Sequence, residues 1–312
     1  MTKLGMVFPG QGSQSVGMLE AYGDRPEVRE TVERASSVLG QDIAQLVAEG
    51  PPEELSRTLN TQPVMLTAGY AVYRLWRALG GPEPAVVAGH SLGEYTALVV
   101  ADALTFEDAL PLVRFRAQAM QDAVPAGVGA MAAIVGAEDD VVRAACVDAA
   151  QGEIVEAVNF NAPGQVVIAG HAGAVERAIA AAKARGAKRG VKLPVSAPFH
   201  SSLLAPAAAR LSDYLATVPM RAPRIPVIHN VDVTSHGDAD GVRAALVAQA
   251  DHPVRWVETV RAIVARGVAL VCECGPGKVL APLVNRIAQN AEGAPLNDLE
   301  AIEQALALAR KQ

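Results

Sequence analysis

Hydrophobic positions along the chain fall into two kinds of pattern. Short, largely apolar runs occur at 4–8, 85–88, 225–229 and 269–274, interrupted only by Gly5, Pro226, His229 and Glu273. Runs of that length, rich in Val, Ile and Leu, predict strands buried on both faces, as in a parallel sheet. Between them lie stretches in which apolar residues recur at helical spacing: 29–39, 43–48, 53–59, 62–79, 106–120, 204–215, 242–250, 257–265, 279–289 and 299–310. In the longest, Val64, Ala68, Ala71, Val72 and Leu75 share one helical face. Gly80-Gly81-Pro82 stops that helix, and Thr105 is placed to cap the one at 106–120.

The middle of the chain has a different order. Strand 130–135, helix 138–149, strands 154–159 and 165–170, helix 172–185 and strand 189–193 spell βαββαβ, the ferredoxin-like pattern. Asn161-Ala162-Pro163-Gly164 supplies the turn between its two central strands. The expectation is an α/β protein with two subdomains. Residues 1–127 and 196–312 build a large one on a mostly parallel sheet, and 128–195 an inserted small one.

Composition narrows the function classes. About half of the 312 residues are hydrophobic but aromatics are few, so the apolar mass is Ala, Val and Leu, suited to helices packed on a sheet. A formal net charge of -6 argues against nucleic acid as a partner, since phosphate binding needs a basic face. One local basic stretch, Lys183 to Arg189, stands out. Cys146, Cys272 and Cys274 are too few and too oddly spaced for a disulfide framework or a zinc knuckle, so two packed core thiols on strand 269–274 and a reducing cytoplasm are expected. The N-terminal apolar run is too short for a signal peptide, and no stretch is long and apolar enough to span a bilayer.

The chemistry centres on Gly89-His90-Ser91-Leu92-Gly93, which lies between the run at 85–88 and a helical segment. Glycines two residues either side of a serine let the chain fold into a tight strand-to-helix turn that exposes a nucleophile. The following helix would aim its N–H groups at the serine oxygen. A serine needs a base. His90 adjoins Ser91, and neighbouring side chains on an extended chain point to opposite faces, so His90 reads as a wall of the site. His171, His236 and His252 lie in polar turns. His200, in the loop 196–202 where the chain rejoins the large subdomain, is favoured over His229, which ends a strand and stays a competitor. The loop Pro9-Gly10-Gln11-Gly12-Ser13-Gln14 follows the first strand and would converge with Ser91 at the same sheet edge. It lacks the Lys-Ser/Thr ending of a P-loop. Arg116 lies within an otherwise apolar helix face, which suits either a surface position with a snorkelling stem or a clamp on a substrate carboxylate.

Seven landmarks, in order, carry a family resemblance: Phe8-Pro9-Gly10-Gln11-Gly12-Ser13-Gln14, Thr61-Gln62-Pro63, Gly89-His90-Ser91-Leu92-Gly93-Glu94-Tyr95, Gly129-Ala130-Met131, Asn159-Phe160-Asn161-Ala162-Pro163-Gly164-Gln165, Asn230-Val231-Asp232 and Gly275-Pro276-Gly277-Lys278. Over nearly its whole length the chain resembles the malonyl-CoA:acyl carrier protein transacylases of type II fatty acid synthesis. The resemblance implies an α/β-hydrolase-like large subdomain, with the site between it and the ferredoxin-like one. It implies Ser91 as the nucleophile that carries malonyl as an ester, and His200 as its base and then as the acid. It assigns Arg116 to the malonyl carboxylate, the backbone N–H groups of Gln11 and Leu92 to the oxyanion hole, and the carbonyl of Gln249 to orienting the histidine. Phe199 before His200 is similar to the malonyl-preferring version in polyketide acyltransferases, and His229 stands where Asn is common.

On this reading the substrates are malonyl-CoA and holo acyl carrier protein, the kinetics are ping-pong, and no metal or bound cofactor is needed. A self-contained site makes a monomer the default, and an acidic carrier would dock on a local basic patch, with Lys183–Arg189 the guess. Three alternatives compete. An acyltransferase serving a polyketide pathway is the first. A thioesterase or other serine hydrolase on the same elbow would need an Asp or Glu behind the histidine, an apolar acyl pocket and no Arg116. A non-catalytic carrier-binding module would not need Ser91.

Overall fold

The computed structural model describes residues 3–195 and 197–311. Two sheets organise it. The first has five strands, β1 (Lys3–Phe8), β2 (Val86–Gly89), β7 (Val227–Ile228), β8 (Val268–Glu273) and β9 (Glu292–Pro295), in the order β7-β2-β1-β8-β9. Every neighbouring pair in it is parallel. The second has four, β3 (Gly129–Val135), β4 (Val155–Ala162), β5 (Gln165–His171) and β6 (Arg189–Lys192), in the order β4-β5-β3-β6, all antiparallel. The mostly parallel α/β architecture with a second, ferredoxin-like sheet is the fold class that the hydrophobic pattern predicts.

Physical causes are local. Strands β1 and β2 are buried almost end to end, which is why they do not alternate apolar and polar residues. Helices cover both faces of the parallel sheet. One layer, including Thr58–Ala78, Gly93–Val100 and Phe106–Asp122, packs its apolar side on Met6, Phe8 and Cys272. The other, including Trp256–Ala265 and Leu280–Ile287, packs on Val7, Ala88 and Val271. Thr105 caps its helix by accepting from the Asp108 amide at 3.0 Å. The second sheet is tied to the rest of the fold through β4, which pairs with the segment leading into the helix Trp256–Ala265: Val254 N donates to Val158 O at 2.8 Å and Phe160 N to Val254 O at 3.0 Å.

The structure departs from the sequence reading in several places. Strand β9 was not anticipated, because Glu292-Gly293-Ala294-Pro295 has no apolar run; an edge strand is recruited by backbone pairing to β8. The helix expected over 62–79 starts at Thr58, and the segment before it is helical only over Pro52–Leu55. Pro63 sits inside the helix, where burial of its neighbours outweighs the lost hydrogen bond. The run at 225–229 is a strand only over Val227–Ile228, and β4 runs on to Ala162. Ser196, at the expected subdomain boundary and the start of the loop 196–202, lies outside the described residues, as do Met1, Thr2 and Gln312. Among the described residues no helix is long and apolar enough to cross a membrane.

Candidate active site

The turn after β2 has the geometry that the glycine spacing requires. Ser91 has φ of 53°, in the left-handed region that non-glycine residues seldom occupy. A Cβ on Gly89 would fall 1.8 Å from the Gly93 carbonyl carbon, and one on Gly93 would fall 2.0 Å from the Phe8 carbonyl oxygen. Neither contact can relax, since both partners are backbone. Gly10 is held the same way: its Cβ would lie 2.5 Å from His90 O and 3.7 Å from Leu92 N. The loop after β1 is thereby pressed against the turn after β2, and Gln11, Ser91 and Leu92 line one cavity of about 340 Å³. The helix Gly93–Val100 starts directly behind the serine.

Ser91 Oγ lies 2.6 Å from His200 Nε2. His200 Nδ1 lies 2.8 Å from the backbone carbonyl of Gln249, which can only accept, so the ring hydrogen sits on Nδ1. That leaves Nε2 free to take the serine proton. His200 is 3% exposed and, like Ser91, has a left-handed backbone, with φ of 63°. Burial first, and then the positive charge of Arg116, push its imidazole down to about 3, while the bond to Gln249 pulls the other way. The ring is neutral at physiological pH, as a base must be.

Arg116 is buried, at 2% exposure, not snorkelling at the surface. Its helix, Phe106–Asp122, and the neighbouring helix Thr58–Ala78 enclose it. Nη1 donates to Gln62 Oε1 at 2.9 Å, and Nη2 to Gln249 Oε1 at 2.9 Å and to Ser91 Oγ at 3.2 Å. The Tyr95 ring lies 5.3 Å from the guanidinium carbon. Among the described residues no carboxylate forms an ion pair with Arg116, and its Nε has no partner. A buried charge held only by neutral amides and a hydroxyl is unusual, because desolvation costs several kcal/mol unless a counter-charge offsets it. The cavity beside Ser91 is where that counter-charge can sit.

Gln249 does more than orient the histidine. Besides its carbonyl on His200 and its Oε1 on Arg116, its Nε2 donates to Ser91 O at 3.0 Å. Gln62 and the side chain of Gln249 are site residues that the sequence reading did not assign. The buried polar pair within a motif, Thr61-Gln62-Pro63, was the available signal.

His90 lines the cavity wall. Its Nε2 lies 2.8 Å from Asn161 Oδ1 of β4 and its ring 5.3 Å from Trp256, so it joins the two sheets across the cleft. His229 is fully buried and away from the serine oxygen, with Nδ1 2.7 Å from Glu94 Oε1. His252 is exposed, while His236 pairs with Asp232 and His171 accepts from the Ile154 amide. Cys272 and Cys274 are free thiols packed in the core, and burial pushes both upward. Gly275-Pro276-Gly277-Lys278 joins β8 to the helix Leu280–Ile287.

Comparison with known proteins agrees with this geometry. The acyl transferase domain family matches residues 6–300. The malonyl CoA-acyl carrier protein transacylase of Escherichia coli K12 is 51% identical over 99% of this chain and 100% of its own length. Its counterpart in Bacillus subtilis is 41% identical over 98% and 97%. The crystal structure of an acyl-carrier-protein S-malonyltransferase from Burkholderia pseudomallei superposes with a TM-score of 0.96 at 60% identity, covering 98% of this chain and 99% of that one. A malonyl-transacylase solved with its type II polyketide synthase acyl-carrier protein has a TM-score of 0.97 at 48% identity, covering 98% and 100%. With the elbow, the buried arginine and near-complete coverage pointing the same way, the chain belongs to the acyl transferase domain family and, within it, to the malonyl CoA-acyl carrier protein transacylases.

Proposed function

We propose that the chain moves malonyl from malonyl-CoA to the phosphopantetheine thiol of acyl carrier protein, through an ester on Ser91, for fatty acid synthesis. The observation that carries this reading is the buried guanidinium of Arg116, with no ion pair among the described residues and 3.2 Å from the serine oxygen. A free carboxylate on the acyl chain supplies the missing counter-charge, as malonyl does and acetyl does not.

The geometry accounts for each step. His200 Nε2 takes the Ser91 proton as Oγ attacks the thioester carbonyl. The developing oxyanion meets the backbone N–H groups of Gln11 and Leu92, each worth roughly 3–4 kcal/mol in comparable sites. The positive end of the helix Gly93–Val100 adds to this field. The tetrahedral species collapses, coenzyme A leaves, and its sulfur takes the proton from His200. The carrier thiol then enters, gives its proton to His200 and attacks the ester, and Ser91 is restored. Every step is a proton transfer or an acyl transfer, so the cycle calls for no metal or cofactor. The carbonyl of Gln249 stands where a hydrolase triad places a carboxylate, which disfavours the thioesterase reading. Three free, buried cysteines support a reducing cytoplasmic setting, the acidic net charge speaks against nucleic acid, and a site completed within one chain supports a monomer.

The test is a chase. Incubation with malonyl-CoA should add a malonyl mass to the Ser91 peptide, and holo acyl carrier protein should remove it as malonyl-carrier. Ser91→Ala should show neither. Release as free malonate, with no transfer, would refute the proposal.

A further inference from the structure

Behind the nucleophile lies a second buried polar chain, which none of the steps above uses. His229, Glu94 and Asn230 are each fully buried. His229 Nδ1 lies 2.7 Å from Glu94 Oε1, and the Asn230 amide donates to Glu94 Oε2 at 2.9 Å. The Asn230 side chain then grips the elbow on both flanks. Its Oδ1 accepts from Ser91 N at 2.8 Å, and its Nδ2 donates to Gly89 O at 2.8 Å. Gln249 Nε2 holds the Ser91 carbonyl from the other side.

We propose that His229 is a positioning residue of the transferase, acting through Glu94 and Asn230 to hold the Ser91 backbone in the conformation that presents Oγ to His200. Three features support it. First, a left-handed serine is strained and persists only where its surroundings over-determine it; here its N–H and C=O are both bound by buried side chains. Second, Glu94 is a fully buried carboxylate whose hydrogen-bond partners among the described residues are one backbone amide and the His229 ring. Without the His229 donor one of its oxygens is left bare, and the carboxylate has reason to turn away from Asn230. Third, the Ser91 amide is committed to Asn230, so it is not free to bind an acyl oxygen and its role in this network is to fix the turn. The ring of His229 also lies 5.2 Å from that of His236, between centroids, and among the described residues its Nε2 has no partner. The contact with Glu94 is therefore its principal polar interaction.

This inference rests on Ser91 being the acylated residue, and the experiment separates the two. The malonyl burst on Ser91 counts competent sites, and the steady rate of transfer to holo acyl carrier protein is divided by that count. His229→Leu removes the donor, and His229→Asn keeps an amide N–H that can reach Glu94. Glu94→Gln replaces an acceptor with a donor and breaks the chain with His229 intact. The expected result is a loss of about 10-fold or more in kcat per competent site for His229→Leu and Glu94→Gln, with KM for malonyl-CoA within about twofold. His229→Asn should recover most of the rate. A purely structural role would lower the burst and the melting temperature while leaving the rate per site unchanged, and that outcome in whichever of His229→Leu and Glu94→Gln folds overturns the proposal. So does an equal loss in His229→Asn and His229→Leu. Absence of any burst in the unmodified protein would instead overturn the role of Ser91.

Discussion

Replacing Arg116 by methionine removes a buried charge while keeping most of the side-chain volume. In the unliganded site the change leaves Gln62 Oε1 and Gln249 Oε1 without their 2.9 Å donors, at a cost of about 1–3 kcal/mol each. Relief from an unpaired buried guanidinium offsets part of that, so the melting temperature should move by only a few degrees. Catalysis should respond very differently for two substrates. With malonyl-CoA, the acyl carboxylate loses its partner. Two unit charges about 4 Å apart are worth roughly 4 kcal/mol at an effective dielectric of about 20. At about 1.4 kcal/mol per decade, kcat/KM for malonyl transfer should fall by roughly 10²–10³-fold. With acetyl-CoA there is no carboxylate to strand, and the loss is confined to the 3.2 Å contact with Ser91 Oγ, worth less than about tenfold. The assay is transfer of each acyl group to holo acyl carrier protein, with the competent fraction counted by acylation of Ser91. An equal fall for both substrates would mean that Arg116 only holds the cavity open, and the carboxylate-clamp reasoning would fail.

Further expectations follow from the same geometry. An ordinary histidine near 6.5 would be mostly protonated at pH 5 and would cut acylation about 30-fold; His200, pushed down to about 3, stays neutral there, so the rate of Ser91 malonylation should be nearly flat from pH 7 to 5. Removing the Arg116 charge raises the His200 value, so the acid limb of Arg116→Met should move to higher pH, and a limb at 6.5 in the unmodified protein would contradict the burial argument. Gly93→Ala forces a Cβ to 2.0 Å from the Phe8 carbonyl and should cost about 3 kcal/mol or more, seen as a melting temperature several degrees lower. Gly237→Ala, where nothing lies within 4 Å, should melt like the parent chain.

What the sequence determined by itself is local and periodic. Largely apolar runs predicted β1, β2 and β8, because a strand buried on both faces cannot alternate. The order βαββαβ predicted the antiparallel sheet, and Gly89-x-Ser91-x-Gly93 predicted a sharp turn, since only glycine tolerates carbonyls at 2 Å from where a Cβ would sit. His90 was set aside on the alternation of neighbouring side chains, and the structure turns its ring to Asn161. The rest depended on residues that meet only across the fold. Periodicity could not tell a buried Arg116 from a snorkelling one, because both occupy an apolar helix face; the amides of Gln62 and Gln249, 54 and 133 residues away, decide it. The choice between His200 and His229 was likewise open in the residues alone. Tertiary packing brings one to 2.6 Å from Ser91 and seals the other behind it against Glu94. Strand β9 exists because β8 offers it an edge, not because its own residues ask for one. Hydrophobic period reports what each segment must hide, whereas a site is made of polar groups whose partners lie far away in sequence, and their pairing appears only when the chain is folded.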